Sequence, residues 1–302
     1  MLDEGSATTP AAAGVPRRAR LSVVIPTFNR ADQLAQQLTA LAAQEYPAWW
    51  EVVVVDNRST DHTAQVIERF QDRLPLRCVP AAEQQGRPYA VNVGVAEARG
   101  EAVVTLDNDD IVAEGYLDAM GQALAEHAFV GARLDASRLN PPWLRARRAP
   151  IQSRGLMTMM RHHPFVVGAG FGVRREAFLE VGGCDERLEC LEDLDLSWRL
   201  QYAGYSPTFV PDAVVHYRYR ADLGGIWRQE RSYGRWEAAV YAKHRPLGLP
   251  QRRARTVLAG WARVVSALPD AGSAAGRARL VTAVGAAVGR AEGSVRSRVL
   301  FL

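Results

Sequence analysis

The chain has 302 residues, of which 48% are hydrophobic and 23% are charged. This composition is ordinary for a globular protein and excludes a fibrous or largely disordered chain. No apolar run approaches the roughly 18–20 residues that a membrane-spanning helix requires, and the first 20 residues lack the apolar core of a secretory signal. The three cysteines are too few for a disulfide framework and match no zinc-site spacing. We therefore expect a cytoplasmic protein.

The net charge of +4 is distributed unevenly along the chain. Residues 251–302 contain nine arginines against Asp270 and Glu292, which leaves the rest of the chain slightly acidic. Because this larger part of the chain is slightly acidic, it does not favour contact with negatively charged nucleic acid, and we expect no nucleic-acid partner. Residues 246–302 are predicted to form a basic helical extension. Such an extension would brace the preceding domain, join two copies in a homodimer, or lie peripherally on a membrane surface.

The first half of the chain alternates between apolar runs and helical patterns. Residues 1–20 are small and polar, which predicts a disordered leader. Four apolar runs are predicted to be buried strands, at residues 21–25, 51–55, 76–79 and 102–106. A helix is predicted after each of the first three strands. Asn29 is predicted to cap the first helix, Asp61 or Thr60 the second, and Gly100 to end the third.

Alternation of this kind predicts a parallel sheet covered by helices. In such sheets ligands bind beyond the carboxyl ends of the strands. Polar residues follow the predicted strands at that edge: Thr27, Asn29, Asp56, Asn57, Asp107 and Asp109. We therefore expect the functional site there.

The second half of the chain is less regular. Residues 131–165 have weak periodicity and are predicted to be a connection and binding surface. Helices are predicted at residues 176–181, 194–202 and 224–244, with short strands at 208–210 and 213–215. The basic extension is predicted to hold two helices that are broken near residues 269–273.

Two acidic groups are candidates for chemistry. Asp107 and Asp109 follow a strand directly and could converge on one Mg²⁺ or Mn²⁺, although a solvated turn is the simpler alternative. Asp110 is expected to cap or orient. Glu192 and Asp193 begin a predicted helix, where they would serve as caps and dipole partners or supply a general base. His216 ends a strand and would complete a metal shell or be purely structural.

Several other chemistries find no support in the sequence. No glycine-rich phosphate loop, dinucleotide-binding fingerprint or hydrolase nucleophile elbow is present. The separated cysteines give no positive indication of a thiol enzyme.

Taken together, the ordered segments resemble family 2 glycosyltransferases, which are inverting, metal-dependent enzymes with the GT-A fold. The resemblance covers about residues 21–245. It rests on VVIPTFNR (23–30), VVDNRSTD (54–61), NVGVAEARG (92–100), LDNDD (106–110), GVRREAF (172–178), VGGCDE (181–186), EDLDLSWRL (192–200) and VPDAVVH (210–216). Each motif alone is weak, but their order along the chain is specific.

The resemblance implies an α/β fold of Rossmann-like, GT-A type, with a mixed, mostly parallel sheet flanked by helices and a C-terminal helical extension. Residues 21–110 would form the nucleotide-sugar-binding half and residues 111–245 the acceptor-binding half of one catalytic domain. The implied reaction moves a sugar from a nucleotide-diphosphate donor to an acceptor hydroxyl by single displacement. The acceptor would be a sugar, a lipid-linked precursor or a small molecule, and family membership favours a UDP-type donor.

The resemblance also implies roles for individual residues. Asp193 would be the general base, while Asp107, Asp109 and His216 would hold Mn²⁺ or Mg²⁺. The residues implied for nucleotide-sugar binding are Pro26, Thr27, Asn29, Asp56, Arg87, Asp107 and Asn108. Those implied to shape the acceptor and donor sites are Glu192, Trp198 and Arg199.

Two alternatives to this function stay open. A nucleotidyltransferase of related fold would also use carboxylates and a metal, but it would need a glycine-rich loop after the first strand. A non-catalytic module that binds nucleotide sugars would keep the fold without the chemistry. Turnover distinguishes this module from an enzyme.

Overall fold

The computed structural model describes residues 17–250 and 254–301. The strands are β1 (Leu21–Thr27), β2 (Trp50–Asp56), β3 (Leu76–Pro80), β4 (Ala102–Thr105), β5 (Ile111–Val112), β6 (Phe129–Asp135), β7 (Met157–Thr158), β8 (Pro164–Phe165), β9 (Phe171–Arg174) and β10 (Thr208–His216). The helices are α1 (Ala31–Ala42), α2 (Thr63–Phe70), α3 (Arg87–Glu97), α4 (Tyr116–Glu126), α5 (Pro142–Arg145), α6 (Arg175–Glu180), α7 (Glu192–Tyr202), α8 (Leu223–His244), α9 (Ala254–Ala267) and α10 (Ala274–Arg296). Two 3-10 turns lie at Gly168–Gly170 and Arg245–Leu247.

Eight strands form one mixed sheet in the order β3-β2-β1-β4-β9-β6-β10-β5. The first four are parallel, as the alternation of strands and helices predicts. Strand β9 is antiparallel to both β4 and β6, and β10 runs parallel to β6. The prediction of a mixed, mostly parallel sheet is therefore confirmed.

Helices cover both faces of this sheet. One buried cluster joins alternate residues of β1, such as Val23 and Ile25, to Leu34 of α1 and Met120 of α4. A second cluster lies on the opposite face and includes Val24, with residues of α3, α6 and α7. Because consecutive strand residues point to opposite faces, a strand buried on both sides is apolar throughout.

Strand β6 is where the sequence prediction fails. Residues 131–165 were expected to be connection and binding surface, but β6 begins at Phe129 and pairs with strands on both sides. Its glycine and arginine interrupt the apolar run, so the sequence shows no strand pattern. The two short strands predicted at 208–210 and 213–215 are one strand, β10, whose register shifts between Val210 and Val214.

The loop after β1 is held differently from the prediction. Asn29 has a φ of 49° and does not cap α1. Its side-chain oxygen accepts hydrogen bonds from the backbone N–H groups of Thr60 (2.7 Å) and Asp61 (3.2 Å). The Asp61 carboxylate instead serves the first turns of both helices. It accepts from the N–H of Ala31 (3.0 Å) and from that of Thr63 (3.1 Å).

Gly100 has a packing role in place of the predicted helix-ending one. Helix α3 ends at Glu97 with Ala98 as its cap, and Gly100 is not among the described glycines with positive φ. A Cβ at Gly100 would lie 2.7 Å from the carbonyl oxygen of Arg20. The glycine therefore permits the chain to pass close to the start of β1.

Residues 17–20, which were expected to belong to a disordered leader, are packed. Ala19 is 1% exposed, and its N–H donates to the carbonyl of Gly121 (3.1 Å). The guanidinium of Arg18 pairs with Asp118. Residues 1–16 of the predicted leader lie outside the described residues.

The two predicted helices of the basic extension are present as α9 and α10. They are separated near the predicted break, and Ser273 caps α10 by accepting a hydrogen bond from the N–H of Gly276 (2.9 Å). No helix in the described part of the chain is long and apolar enough to cross a membrane. Trp261 and Val265 are exposed on α9, and Leu268 is exposed just after it. Contact with a membrane surface or a second copy stays a prediction.

Glycines set the distance between α8 and α10. A Cβ at Gly289 would collide with the carbonyl oxygen of Arg231, and a Cβ at Gly234 would collide with that of Ala286. Ion pairs join the same two helices, from Arg231 and Arg235 to Glu292. The extension is therefore packed tightly on the body by backbone contact.

We expect Gly289→Ala to lower the free energy of unfolding by about 1–3 kcal/mol, since a backbone carbonyl cannot move aside as a flexible side chain can. Urea denaturation measures this change. The control is Gly272→Ala, because nothing lies within 4 Å of a Cβ at that position. Equal stability of the two variants would contradict the close packing of α8 and α10.

Candidate active site

The candidate site lies at the edge of the sheet where β1, β2 and β4 end. Segment 107–110 follows β4 directly, and the N-terminus of α7 approaches it from the other half of the chain. Parallel strands bring their carboxyl ends to one edge, so residues distant in sequence meet there.

A cluster of three carboxylates occupies this edge. Asp107, Asp109 and Asp110 each place an oxygen within 4.8 Å of the others. Asp110 is buried. One of its oxygens accepts a hydrogen bond from the N–H of Arg218 (2.7 Å), and the other has no hydrogen-bond partner among the described residues. Burial, together with the neighbouring Asp107 and Asp109 charges, raises the pKa of Asp110 well above its ordinary value.

The oxygen-only donor set fits a divalent cation of the Mg²⁺ or Mn²⁺ type. The buried and unpartnered oxygen of Asp110 supports this assignment, because such an atom is costly without a hydrogen bond or a ligand. Arg220 donates to Asp109 at 2.7 Å and partly balances the negative charge of the cluster.

Arg87 connects the carboxylate cluster to α7. Its guanidinium donates to Asp107 (2.9 Å), to Glu192 (2.6 Å) and to the carbonyl oxygen of Gly168 (3.0 Å). Burial acts to lower the pKa of Arg87, but the charges of Asp107 and Glu192 hold that pKa well above its ordinary value. Arg87 is therefore a permanent cation between two halves of the site.

The start of α3, where Arg87 lies, is fixed by Asn57 at the end of β2. The Asn57 amide donates to the carbonyls of Ala81 (2.6 Å) and Gln84 (2.7 Å), and its oxygen accepts from the N–H of Gly86 (2.8 Å). Gly86 has a φ of 149°, a conformation in which a side chain would be strained. These contacts hold the loop that presents Arg87.

Asp193 lies in the first turn of α7 and is held by two backbone N–H groups. Its two carboxylate oxygens accept from Gly168 (2.8 Å) and from Leu194 (2.8 Å). Burial raises the pKa of Asp193, and the hydrogen bond from Gly168 opposes that rise. Burial likewise raises the pKa of Glu192 to about 7, with Arg87 acting in the opposite direction.

Two cavities meet at Arg87 and Asp107, which line both of them. The first has a volume of about 230 Å³ and is lined by Pro26, Thr27, Phe28, Arg30, Asn57, Arg87, Ala90, Asp107, Asn108, Asp109 and Arg220. The second has a volume of about 250 Å³ and contains Asp193, Glu192 and residues of α8 and α10. The arrangement offers one pocket beside a carboxylate cluster and another beside the carboxylates of Glu192 and Asp193.

Most residues predicted for the site are brought together here. Those that line the cavities are Pro26, Thr27, Arg87, Asp107, Asn108, Asp109, Glu192 and Asp193. Asp56 and Asn29 line neither. The Asp56 carboxylate accepts from the N–H of Ser59 (3.0 Å), so both side chains organise the loops around the first cavity.

Three other predicted residues lie outside the cavities. His216 is not part of the carboxylate cluster, and its Nδ1 faces Asp135 at 3.3 Å. Trp198 is fully buried, with its indole N–H on the carbonyl of His163. Arg199 donates to Asp195 (2.7 Å) and to two backbone carbonyls of segment 181–183. These contacts let Trp198 and Arg199 support α7 from behind.

Several lining residues were not predicted from the sequence. Asn57 was noted at the sheet edge but given no role. Arg220 follows His216 closely, and an arginine near a strand end was a usable signal. Tyr233 of α8 and Ala286 of α10 line the second cavity, and no sequence pattern indicates this.

Comparison with known proteins identifies a family whose model matches this chain. The model for Glycosyl transferase family 2 matches residues 22–182, about half of the chain. Poly(ribitol-phosphate) beta-N-acetylglucosaminyltransferase TarS of Staphylococcus aureus is 34% identical over 110 residues, which is 36% of this chain and 19% of TarS. Poly-beta-1,6-N-acetyl-D-glucosamine synthase of Staphylococcus epidermidis is 22% identical over 217 residues, covering 69% of this chain and 52% of the synthase. The chain thus spans between about a fifth and half the length of these curated relatives.

Solved structures confirm the fold. The mannosyltransferase PcManGT from Pyrobaculum calidifontis, in complex with GDP-Man and Mn²⁺, superposes with a TM-score of 0.61 at 20% identity, covering 92% of this chain and 89% of that one. S. aureus TarS 1-349 in complex with UDP-GlcNAc gives a TM-score of 0.53 at 18% identity, covering 94% and 93%. The GT-A fold expected from the sequence motifs is confirmed.

The raised pKa of Glu192 predicts a pH dependence of stability. An unfolded glutamate titrates near about 4.3, whereas folded Glu192 has a pKa of about 7. The folded state therefore keeps a proton that the unfolded state has lost, so this contribution to stability is complete below about pH 4.3 and is lost as pH rises to about 7.

Between pH 4.5 and pH 8, we expect the free energy of unfolding of the native protein to fall by up to about 3 kcal/mol more than that of Glu192→Gln. Urea denaturation across that range measures the difference in the free energy of unfolding. Glu68→Gln is the control because Glu68 is exposed on α2. Parallel pH profiles for the native protein and Glu192→Gln would show that the pKa of Glu192 is not raised.

Proposed function

This chain belongs to glycosyl transferase family 2, and we propose that it transfers a glycosyl group from a nucleotide-diphosphate sugar to an acceptor hydroxyl with inversion at the anomeric carbon. One observation carries the proposal. Arg87 and Asp107 form the common wall of two cavities, of which one adjoins the carboxylate cluster and the other is lined by Asp193. A donor and an acceptor bound on either side of that wall would meet at it.

The first cavity is the proposed donor site. Pro26, Thr27 and Asn108 line it and would contact the nucleotide. Asp56, held at the end of β2, would accept a hydrogen bond from the base or ribose. The GDP-Man and UDP-GlcNAc bound to the structural relatives support a nucleotide-sugar donor, and we propose one of UDP type.

Asp107, Asp109 and Asp110 are the residues that would hold Mn²⁺ or Mg²⁺. A bound divalent cation supplies positive charge that stabilises the leaving diphosphate. Arg87 and Arg220 line the same cavity and add fixed positive charge of their own. The chain thereby places cations where negative charge develops, which is the arrangement that lowers the barrier most effectively.

Asp193 is the proposed general base. Its carboxylate is aimed by the N–H groups of Gly168 and Leu194, and it lines the second cavity. The acceptor oxygen forms a bond to the anomeric carbon as the bond from that carbon to the diphosphate oxygen breaks. The hydroxyl proton passes to Asp193, and the nucleoside diphosphate departs. Burial raises the pKa of Asp193 toward neutral pH, and a carboxylate with a higher pKa accepts a proton more readily.

The two alternative functions have less support. A nucleotidyltransferase would need a glycine-rich loop after β1, but Pro26 to Arg30 contains no glycine. A non-catalytic module would not need the buried carboxylate of Glu192 in the wall of the second cavity, because burying a charge costs stability.

Nucleotide binding should protect the fold in a metal-dependent way. A ligand at about 100 times its Kd raises the free energy of unfolding by roughly 2.7 kcal/mol. Thermal shift with UDP, GDP, dTDP and their sugars, each with and without Mn²⁺, measures this protection. We expect one nucleotide to raise the Tm only with Mn²⁺, and Asp109→Ala to abolish the rise.

The matched control is Asp212→Ala, because Asp212 is exposed on β10 and lines neither cavity. It should keep the full Tm rise. Absence of a shift with every nucleotide in the native protein would argue against the transferase.

Asp193→Asn should lower kcat by about 10²–10⁴-fold while leaving the Kd of the donor unchanged, since only proton transfer is lost. The assay follows release of nucleoside diphosphate from the donor identified by thermal shift, with water or added hydroxyl compounds as acceptor. Asp212→Asn is the control. A kcat within a few-fold of native would exclude Asp193 as the base.

A further inference from the structure

On the premise that the proposed function is right, the lining of the second cavity indicates which kind of acceptor it binds. It opens beside Asp193 and lies between the loop after α5, the start of α7, and helices α8 and α10. At about 250 Å³ it has room for one sugar-sized or aryl group, and a larger acceptor would extend through its mouth.

Much of the wall of this cavity is apolar. The apolar lining residues include Ile151, Met157, Met159, Phe165 and Leu191. Contact with these side chains releases water from apolar surface and favours an acceptor with an apolar or aromatic part. The methionines also adapt to irregular shapes.

The charged groups of the cavity are mostly acidic. Among described residues, its lining contains six carboxylates and two arginines. Arg87 is already engaged by Asp107 and Glu192. Arg148 pairs with Glu230 at 3.1 Å. Each arginine of the lining is thus already paired with a carboxylate of the same cavity.

Arg147 shares Glu230 with Arg148 but is not among the residues that line the cavity. It lies behind the wall, with its side chain fully buried, and donates to the same Glu230. The carboxylate of Glu237 pairs with Arg290 of α10. At the mouth, Glu189 is exposed and has no ion pair among the described residues. An anionic acceptor would therefore meet Asp193 and Glu189 with no unengaged cation beside them.

We propose that the acceptor is a hydroxyl compound with an apolar or aromatic part and no negative charge, and that a protonated amine on it is favoured. A positive or neutral group is compatible with the acidic wall, whereas a like charge there is repelled. This inference deepens the proposed function by naming the chemical class of the acceptor.

Three matched probes test the charge preference: the p-nitrophenyl β-D-glucosaminide, glucoside and glucuronide. All three have the same aryl group and a glucose-type ring. The glucosaminide carries an amine, the glucuronide carries a carboxylate, and the glucoside is uncharged. Calorimetry with nucleoside diphosphate and Mn²⁺ present measures each Kd. We expect the glucuronide to bind at least about tenfold more weakly than the glucoside, and the glucosaminide to bind at least as tightly as the glucoside.

Two variants establish where the probes bind. Ala286→Phe places a ring in the wall that α10 contributes and should weaken all three probes together. Glu189→Lys reverses the exposed charge and should shift the ratio of glucuronide to glucosaminide affinity by about threefold or more toward the glucuronide. Glu68→Lys is the control. Glu68 is exposed on α2 and does not line the cavity, so no shift is expected. Melting curves confirm that each variant is folded.

The outcomes separate this inference from the proposed function. Tight binding of the glucuronide, equal binding of all three probes, or no binding of any would overturn the acceptor class. Failure of the nucleotide to protect the native protein, measured in the same samples, would instead overturn the transferase. Nucleotide protection together with a preference for the glucuronide overturns the acceptor class alone.

Discussion

The hydrogen bonds of Arg87 hold the site together. Its guanidinium touches Asp107 at the end of the parallel half of the sheet, Glu192 at the start of α7, and the carbonyl of Gly168 between them. Without that cation, two carboxylates would face each other at low exposure with nothing to balance their charge. The same interaction is why the elements from the two halves of the chain can meet at one edge.

Gly168 extends this network to Asp193. Its carbonyl accepts from Arg87 and from the hydroxyl of Thr105 (2.9 Å), and its N–H donates to Asp193. One residue thus receives the cation at its carbonyl oxygen and aims the carboxylate with its N–H. The positions of Arg87 and Asp193 are consequently coupled through a single short turn.

The parallel half of the fold could be predicted from sequence because its signals are local. Continuous apolar strands such as β2, each ending in polar residues, indicate both the sheet and the edge where ligands bind. The ordered motifs indicated Asp107, Asp109 and Asp193, which the structure brings to the site. Strand β6 escaped prediction because it is buried by strands distant in sequence, and its own composition is mixed.

Other parts of the site depend on tertiary contact alone. The capping role expected for Asn29 belongs to Asp61, because the loops after β1 and β2 interlock and share their polar groups. Ala286 lines a cavity only because α10 lies against α8, and an alanine in a helix carries no sign of that. His216 was associated with the metal by its place in the motif order, while its side chain turns to Asp135.

The contact between α8 and α10 has a consequence for how the protein can be divided. Composition suggests a boundary near residue 245, with a basic appendage beyond it. Yet α10 contributes Ala286 to the wall of the second cavity, and Arg290 of α10 holds Glu237 in that wall. A truncation at that boundary would open the cavity to solvent and leave Glu237 without its partner Arg290. The extension is thus packed as part of the same folded unit, and an expression fragment that ends at α8 would lack one side of the second cavity.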